Sequence, residues 1–207
     1  MSKRSWFINV AISFDAKISE IGKQVEISSK EDWQVVHQLR NKIAAIVVGS
    51  NTIKVDNPSL KIKPEYLGDV LQNNHPIRVV LDRSGTCDPN SKVFKDQDEI
   101  PTLWVTESES KIEGVQKIPV TDLSEVIFEV NSFCDKMKRN GDVMIEGGSS
   151  VISNFIASGL ISKMRIYRSQ LILENGLPLF PTPIKKRIIL QSVNKLGPGI
   201  EEIYLIK

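Results

Sequence analysis

The chain has 207 residues, of which 41% are hydrophobic and 25% charged, the composition of an ordinary soluble globular protein. Its formal net charge of +2 argues against nucleic acid as the main partner. Two cysteines, Cys87 and Cys134, cannot build a disulfide framework or a four-ligand zinc site. The N-terminus lacks the apolar stretch of a secretory signal, and no run approaches the ~18 apolar residues of a membrane span. We therefore expect a cytoplasmic enzyme or binding protein that needs neither a metal nor a membrane.

The first part of the chain predicts a strand, a helix and a second strand. The apolar run from Trp6 to Ser13 is rich in β-branched residues and predicts a buried strand. Ser29 is the predicted N-cap of a helix, with Asp32 three positions later as in a capping box. The apolar face of this helix recurs at helical spacing through Trp33, Val36, Leu39 and Ile43. A second buried strand then runs from Ala44 to Gly49.

The middle of the chain continues the alternation of strands and helices. Ile77 to Asp82 and Thr102 to Thr106 predict strands, and a helix is expected from Leu123 to about Lys138. Val143 to Gly148 predicts a strand that ends in two glycines. The segment after it, SSVISNFIASG, predicts a helix closed by its final glycine.

The last 45 residues show a different pattern, with extended segments and no helix between them. These segments are 163–172, 186–193 and 201–207, and we expect them to form antiparallel strands. The predicted fold class is α/β: a central, mostly parallel sheet with an antiparallel C-terminal edge, flanked by helices. With no linker or repeat in the sequence, we expect residues 1–207 to form a single domain.

Ligands of open α/β sheets bind beyond the carboxyl ends of the strands, so the residues at those ends are the candidates. After Val48 the chain reads Gly-Ser-Asn-Thr and then Asp56-Asn57-Pro58. A small-residue turn that opens a short helix, with the hydroxyl of Thr52, suits a phosphate or polar cofactor. The alternative is a capped helical turn closed by the Asp-Asn-Pro sequence.

The strand ending at Ile145 is followed by Glu146, two glycines and two serines, directly before a helix. Paired glycines let a ligand approach the backbone closely, and a helix start favours an anion such as pyrophosphate. The G-x-G-x-x-G fingerprint is absent, so this is not an ordinary Rossmann site. An ordinary strand-to-helix turn capped by serine remains the alternative.

Two further strand ends carry cations. Asp15-Ala16-Lys17 follows the first strand, where Lys17 is suited to a substrate phosphate or polar group. Arg83, which follows Asp82 at the end of the third strand, is suited to a ribose 2′-phosphate. Both segments are equally compatible with solvated turns.

Other reaction classes find no support in the sequence. Neither His37 nor His75 has neighbours at metal-ligand spacing, and the zinc deaminase signature is absent. The chain also contains no G-x-S-x-G elbow and no Walker A loop. Chemistry carried by a bound organic cofactor is the remaining enzyme class.

Taken together, these strand ends resemble the pyrimidine reductases of riboflavin biosynthesis, whose fold is similar to that of dihydrofolate reductase. The resemblance rests on four stretches, INVAISFDAKIS, VVGSNTIKVDNPSL, PIRVVLD and VMIEGGSSVISNFIASGLISKMRIY. The elements T-x-x-x-D-x-P-x-L and E-G-G are the specific ones. Bifunctional members of the family carry a zinc deaminase domain before the reductase, and this chain looks like the stand-alone reductase.

The resemblance implies that NADPH, with NADH as the alternative, reduces 2,5-diamino-6-ribosylamino-4(3H)-pyrimidinone 5′-phosphate to the ribitylamino compound. The sugar opens to an imine at C1′, which accepts the hydride. The residues implied to hold the cofactor are Thr52, Asp56, Gly147, Gly148, Ser149 and Ser150. The turn at Arg83 and Ser84 contacts cofactor in relatives, and we assign Arg83 to the 2′-phosphate.

Glu146 and Lys17 are implied to face the substrate and are the predicted catalytic residues. A carboxylate at Glu146 would stabilise the cationic hydride acceptor. Lys17 would hydrogen-bond the substrate or relay a proton, and these roles stay open. The other residues that match substrate-lining positions are Gln24, Arg40, Leu60 and Lys63.

The chain departs from the family pattern at Ala16, because relatives read Asp-Gly-Lys at this point. If the position needs a positive φ, alanine there is strained by about 1 kcal/mol. Relatives are also commonly homodimers, and alternating Ile203 and Leu205 in the tail are suited to a subunit contact. Two other functions stay open: a dihydrofolate- or pterin-type reductase, and a non-catalytic nucleotide-binding protein on the same scaffold.

Overall fold

The computed structural model describes residues 4–21, 25–119 and 122–207. In this part of the chain the strands are β1 (Trp6–Ile12), β2 (Lys17–Glu20), β3 (Ala45–Gly49), β4 (Ile77–Leu81), β5 (Thr102–Val105), β6 (Gln116–Ile118), β7 (Val143–Gly147), β8 (Lys163–Arg168), β9 (Gly176–Pro178), β10 (Ile188–Leu196) and β11 (Gly199–Ile206). The α-helices are α1 (Lys30–Arg40), α2 (Ser50–Asp56), α3 (Leu123–Lys136) and α4 (Ser149–Ser158). Single 3₁₀ turns lie at Pro64–Tyr66 and Lys92–Phe94.

Across the described residues, nine strands form one sheet in the order β10-β11-β8-β1-β7-β3-β4-β5-β6. The neighbours from β8 to β6 run parallel, and the pairs β8–β11 and β11–β10 are antiparallel. This confirms the α/β class and the antiparallel C-terminal edge. Strand β6 and the small antiparallel sheet of β2 and β9 were not predicted. That a single domain spans residues 1–207 stays a prediction.

The direction of β8 corrects one expectation. We expected the first of the three tail segments to be antiparallel, but β8 runs parallel to β1 and is antiparallel only to β11. The physical reason is α4, which lies between β7 and β8 in the chain and serves as the crossover that parallel strands require. Only the last two segments, joined by a tight hairpin at Gly197, form the antiparallel edge.

The two faces of the sheet differ in chemistry. One face packs against apolar side chains of α3 and α4, such as Val130 and Phe155. The other face carries a second apolar cluster around Trp104 and Met144. Because strand side chains alternate, Asn9 and Arg165 also point to this second face, between residues that belong to the first cluster. Glu146 reaches the same side, where it binds Arg40.

Helix α1 covers the polar part of this second face. Its N-cap Ser29 accepts a hydrogen bond from the Asp32 N–H at 3.2 Å, as predicted. The carboxylate of Asp32, however, lies 2.8 Å from Arg165 Nη2 and is buried. Burial raises the pKa of Asp32, although the guanidinium of Arg165 opposes that shift. Asp32 therefore joins α1 to the sheet.

The described residues meet neither the requirements for a membrane-spanning helix nor those for a metal site. None of the helices found there is long and apolar enough to cross a membrane. This part of the chain also contains no group of three or more His, Cys, Asp or Glu side chains that could hold a metal ion.

Candidate active site

The two glycine-bearing strand ends lie side by side. Strands β3 and β7 are parallel neighbours, and Val48 pairs with Gly147. Helix α2 begins directly after Gly49, and α4 begins directly after Gly148. A Cβ atom on Gly148 would stand 3.4 Å from Thr52 Oγ1. The structure therefore brings Thr52 and the glycine pair together, and we call residues 49–52 and 147–150 the glycine edge.

The start of α4 provides donors at the glycine edge. Its N-cap is Gly148, which makes no side-chain capping hydrogen bond. The first helical residues are Ser149 and Ser150, whose backbone N–H groups lie in the first turn and have no partner within the helix. Gly147 has a φ of +134°, a conformation that glycine adopts most readily. These features fit a dinucleotide pyrophosphate, which needs close backbone approach and N–H donors.

Asp56 lies one helical turn after Thr52 on α2, so the two side chains share a face of that helix. Solvent reaches the Asp56 side chain, yet the surrounding protein raises the pKa of its carboxyl by partial desolvation. The helix ends at Asn57 in the left-handed conformation. Thr52 and Asp56 thus lie on one face of α2, and their binding of a cofactor stays a prediction.

Glu146 directly precedes the glycine pair and occupies an irregular position. Val47 pairs with Ile145 and Val48 with Gly147, so Glu146 is an extra residue without a partner on β3. Its carboxylate accepts two hydrogen bonds from Arg40, from Nε at 3.0 Å and from Nη2 at 2.6 Å. Extra residues of this kind often re-aim a side chain beside an active site.

The chain after α2 is fixed to the body of the protein at three consecutive residues. The Ile62 N–H donates to His75 Nδ1 at 3.0 Å, and the Lys63 N–H donates to His37 Nδ1 at 3.1 Å. Between them, the Lys61 carbonyl accepts a hydrogen bond from Arg40 Nη1 at 3.1 Å. We call residues 57–74 the anchored loop.

His37 was not predicted to take part in the site. It is buried and stacks on Tyr66, with the ring centroids 4.8 Å apart. Burial lowers its pKa to about 3, and the nearby charges of Arg40 and Lys63 act in the same direction. The imidazole is therefore neutral and serves as an acceptor. The helical spacing of His37 and Arg40 was the only signal for their common role.

Leu60 and Lys63 lie on the anchored loop, in different environments. The side chain of Leu60 is buried in the second apolar cluster, and its φ is +57°. Lys63 is exposed, with Nζ 5.8 Å from the centroid of the Tyr66 ring. Only the backbone of Leu60 is thus open to a substrate role, whereas Lys63 offers its ammonium group. The predicted substrate residue Gln24 lies outside the described residues.

Lys17 lies at the carboxyl end of β1, after a tight turn. Ser13 Oγ donates to Asp15 Oδ1 at 2.6 Å, and the Lys17 N–H donates to Ser13 Oγ at 2.8 Å. The bond from Ser13 and that from the Leu173 N–H lower the pKa of Asp15. Ala16 has a φ of +61°, so this position does adopt the left-handed conformation.

Arg83 and Ser84 lie in a turn after β4. Strand β4 is the neighbour of β3, so this turn lies at the same edge of the sheet as the glycine edge. The buried Asp82 carboxylate organises this turn by accepting bonds from Thr86 and from the Cys87 N–H. Burial alone would raise the pKa of Asp82, but these bonds outweigh it and lower the pKa. Arg83 is exposed and pairs with Glu107 at 2.7 Å.

Comparison with known proteins identifies the family of this chain. The family described as the RibD C-terminal domain matches residues 4–201. A 2,5-diamino-6-ribosylamino-4(3H)-pyrimidinone 5′-phosphate reductase of Archaeoglobus fulgidus is 33% identical over 209 residues, covering 93% of this chain and 94% of the relative.

Two solved structures show the fold. RibD of Acinetobacter baumannii superposes with a TM-score of 0.85 at 20% identity, over 99% of this chain and 58% of that one. A dihydrofolate reductase from Enterococcus faecalis, complexed with NADP(H), gives 0.53 at 16% identity over 98% and 96% of the two chains. The chain therefore belongs to the RibD C-terminal domain family, a family of oxidoreductases.

Proposed function

We propose that this protein uses NADPH to reduce the ribosyl side chain of 2,5-diamino-6-ribosylamino-4(3H)-pyrimidinone 5′-phosphate to the ribitylamino form. The Archaeoglobus fulgidus relative, which matches along nearly its whole length, carries the name of this reductase. The proposal rests on one observation at the end of β7: the ion-paired Glu146 directly precedes the glycine pair that opens α4. A cofactor at the glycine edge and a substrate beside Glu146 would then be neighbours.

When bound, NADPH would supply the hydride for the reduction. Thr52, Ser149 and Ser150 would hold its pyrophosphate through hydroxyl and backbone N–H groups. Asp56 would hold the cofactor from the other end of α2. Arg83 would pair with the 2′-phosphate, which would favour NADPH over NADH.

The carboxylate of Glu146 would stabilise positive charge on the substrate before the hydride arrives. Lys17 adds a cation at the carboxyl end of β1, two strand positions along the sheet from β3. It would bind a substrate hydroxyl or relay a proton. Hydrogen bonds hold the backbone of Lys17 and the carboxylate of Glu146, which suits a reaction whose rate depends on orientation.

A homodimer in the cytoplasm is part of the proposal. Strand β10 is the edge of the sheet and exposes apolar side chains, among them Ile188, Leu190 and Val193. An exposed apolar edge strand is a natural pairing surface for a second copy. A sedimentation mass equal to a single chain would refute the dimer. Cys87 and Cys134 are both unpaired, in keeping with a reducing compartment.

The function is tested by following the loss of nicotinamide absorbance with NADPH and the ribosylamino pyrimidine phosphate. We expect oxidation with this substrate and none with dihydrofolate as the control. Oxidation with dihydrofolate alone would favour a dihydrofolate-type reductase. Oxidation with neither substrate, together with tight NADPH binding, would favour a non-catalytic nucleotide-binding protein.

A variant separates chemistry from binding in the same assay. Glu146→Gln should lower turnover far more than it weakens NADPH binding, because the neutral amide no longer stabilises a cationic substrate. Glu113→Gln, at an exposed glutamate in a turn, is the matched control and should leave turnover unchanged. Equal turnover in Glu146→Gln and the wild-type protein would remove Glu146 from catalysis.

A further inference from the structure

Lys17 lies against a short segment that comes from far along the chain. Residues 175–179, which include β9, run beside β2, and we call them the tail strap. At one end of the strap, the Asn175 carbonyl accepts the N–H of the residue directly after β2 at 3.3 Å. At the other end, the Leu179 N–H donates to the Ala16 carbonyl at 3.1 Å. Backbone hydrogen bonds therefore fix the strap on both sides of Lys17.

The backbone of Gly176 makes the contact between the strap and the Lys17 side chain. A Cβ atom on Gly176 would stand 2.7 Å from Lys17 Cβ, 2.9 Å from Lys17 Cγ and 2.6 Å from the Ser19 carbonyl oxygen, which is closer than real Cβ atoms approach. Gly176 does not have a positive φ, so its backbone conformation does not require glycine. The close approach of β2 and of the Lys17 side chain excludes a larger residue here.

We propose that Gly176 is a positioning residue for Lys17. The strap passes directly over the first two side-chain carbons of Lys17, so it limits the rotamers that Lys17 can adopt and thereby aims its ammonium group. The main chain of Lys17 is fixed as well, since its N–H donates to Ser13 Oγ at 2.8 Å and its carbonyl accepts the Ser13 N–H at 2.8 Å. This inference rests on the proposed function, in which Lys17 binds a substrate hydroxyl or relays a proton.

Gly176→Ala tests this role because it adds one methyl group at the contact. We expect kcat to fall about 30-fold and the Kd for NADPH to change less than about twofold, since the methyl group displaces Lys17 and leaves the glycine edge untouched. An unchanged kcat would overturn the inference.

Gly199, at the start of β11, provides a matched control. It too lacks a positive φ, and a Cβ atom there would stand 2.5 Å from the Arg168 carbonyl oxygen and 2.6 Å from the Tyr167 hydroxyl. Gly199→Ala should therefore crowd the fold to a similar degree without displacing Lys17, so kcat should stay unchanged. An equal fall of kcat in the two glycine variants would show a structural effect only and overturn the positioning role.

A double-mutant cycle shows whether Gly176 acts through Lys17. In the background of Lys17→Gln, which lacks the ammonium group, Gly176→Ala should lower the residual kcat less than about twofold. A general disturbance of the site would lower kcat by the same factor in both backgrounds, and that result would overturn the inference.

A second measurement needs no substrate. Acetic anhydride labels lysine amines, and peptide mass spectrometry gives the ratio of labelling at Lys17, which is partly buried, to labelling at the exposed Lys185. Gly176→Ala should raise this ratio about threefold, because a displaced amine is more accessible. Ile21→Pro removes the N–H that binds the Asn175 carbonyl and adds no atom at the contact, so it should raise the ratio too, even if Gly176→Ala does not fold.

An unchanged labelling ratio in these variants would overturn the inference even if the enzyme is active. A raised ratio, together with no turnover of the pyrimidine by the wild-type protein, would refute the proposed function and leave the contact between Gly176 and Lys17 supported.

Discussion

The glycine edge and the anchored loop lie next to each other, but their polar groups are used differently. In the anchored loop, backbone groups of Lys61, Ile62 and Lys63 are each bound by a buried side chain from elsewhere. At the glycine edge, α4 starts without a side-chain cap. No hydrogen bond of the described residues engages the Thr52 hydroxyl. One region is thus satisfied internally, and the other keeps its donors for a ligand.

This difference predicts which property a substitution in each region should change. A polar group with an internal partner contributes to the stability of the fold, and its removal leaves the buried partner unsatisfied. A polar group without an internal partner contributes binding free energy only when a ligand binds to it. Variants of the anchored loop should therefore change the free energy of unfolding, and variants of the glycine edge should change cofactor affinity.

The largest effect is expected for His37 as the pH is lowered. Because its folded pKa is about 3 against about 6.5 when unfolded, the neutral imidazole contributes fully above pH 6.5 and loses that contribution as the pH falls towards 3. The loss should reach about 3 kcal/mol at pH 4. His37→Asn keeps an acceptor near the Nδ1 position but cannot take up the proton.

The measurement is urea unfolding of the wild-type protein and His37→Asn at pH 7 and pH 4. The variant should be less stable at pH 7, because it loses the ring stack on Tyr66, but its stability should fall less on acidification. His75→Asn, at the other histidine acceptor of the loop, should show the same sign, since burial also lowers the pKa of His75. Identical pH dependence in His37→Asn and the wild-type protein would contradict a neutral anchoring role.

Thr52→Val tests the other half of the comparison. The valine has nearly the shape of threonine and removes only the hydroxyl, so the fold should keep its stability. Affinity for NADPH should fall about 30-fold, equivalent to about 2 kcal/mol for a hydrogen bond to a charged group. Titration of NADPH against protein fluorescence measures this change.

Thr102→Val is the control for this substitution. Thr102 is buried, donates to the Val93 carbonyl at 2.8 Å and accepts a bond from Gln97 at 3.0 Å. Its replacement should destabilise the fold by about 1–3 kcal/mol and leave NADPH affinity unchanged. The comparison between the two regions fails if Thr52→Val destabilises the fold as much as Thr102→Val does.

A smaller effect is expected at Arg83, which is exposed and, among the residues that the structure describes, is paired only with Glu107. Arg83→Gln should reduce the preference for NADPH over NADH about tenfold, because a neutral amide binds a 2′-phosphate less well. Glu107→Gln frees the guanidinium and should preserve or increase the preference. Ratios of kcat/KM for the two cofactors give the result, and an unchanged ratio in Arg83→Gln would remove this residue from cofactor recognition.

The glycine edge could be predicted from the sequence because each of its two segments, residues 49–52 and 147–150, is a local pattern at the end of a strand. Glu146, the glycine pair and the start of α4 are consecutive, and hydrophobic runs located β3 and β7. Parallel strands bring their carboxyl ends to one edge, so Thr52 and the glycines were expected to meet. The fold class followed from the same alternation of strands and helices.

The contacts of the anchored loop and of Glu146 could not be predicted, because no sequence pattern relates the partners. Arg40, which binds the Lys61 carbonyl, precedes it by 21 residues. Arg40 and Glu146 are separated by 106 residues, and no spacing rule relates them. The histidine acceptors bind backbone N–H groups, which every residue except proline carries, so the sequence holds no trace of these bonds. The resemblance identified Arg40 as a site residue, but only the structure shows its pairing with Glu146.

The smallest predicted effect concerns Ala16, which precedes Lys17 at a φ of +61°. A left-handed conformation costs a non-glycine residue about 1–2 kcal/mol, and glycine loses about 0.5–1 kcal/mol of that advantage to its freer unfolded chain. Ala16→Gly should therefore stabilise the protein by about 0.5 kcal/mol in urea unfolding. Ala157→Gly, at an exposed position inside α4, should instead destabilise it by about 1 kcal/mol. The opposite signs separate local backbone strain from a general response to glycine, and two losses would show that the turn before Lys17 is unstrained.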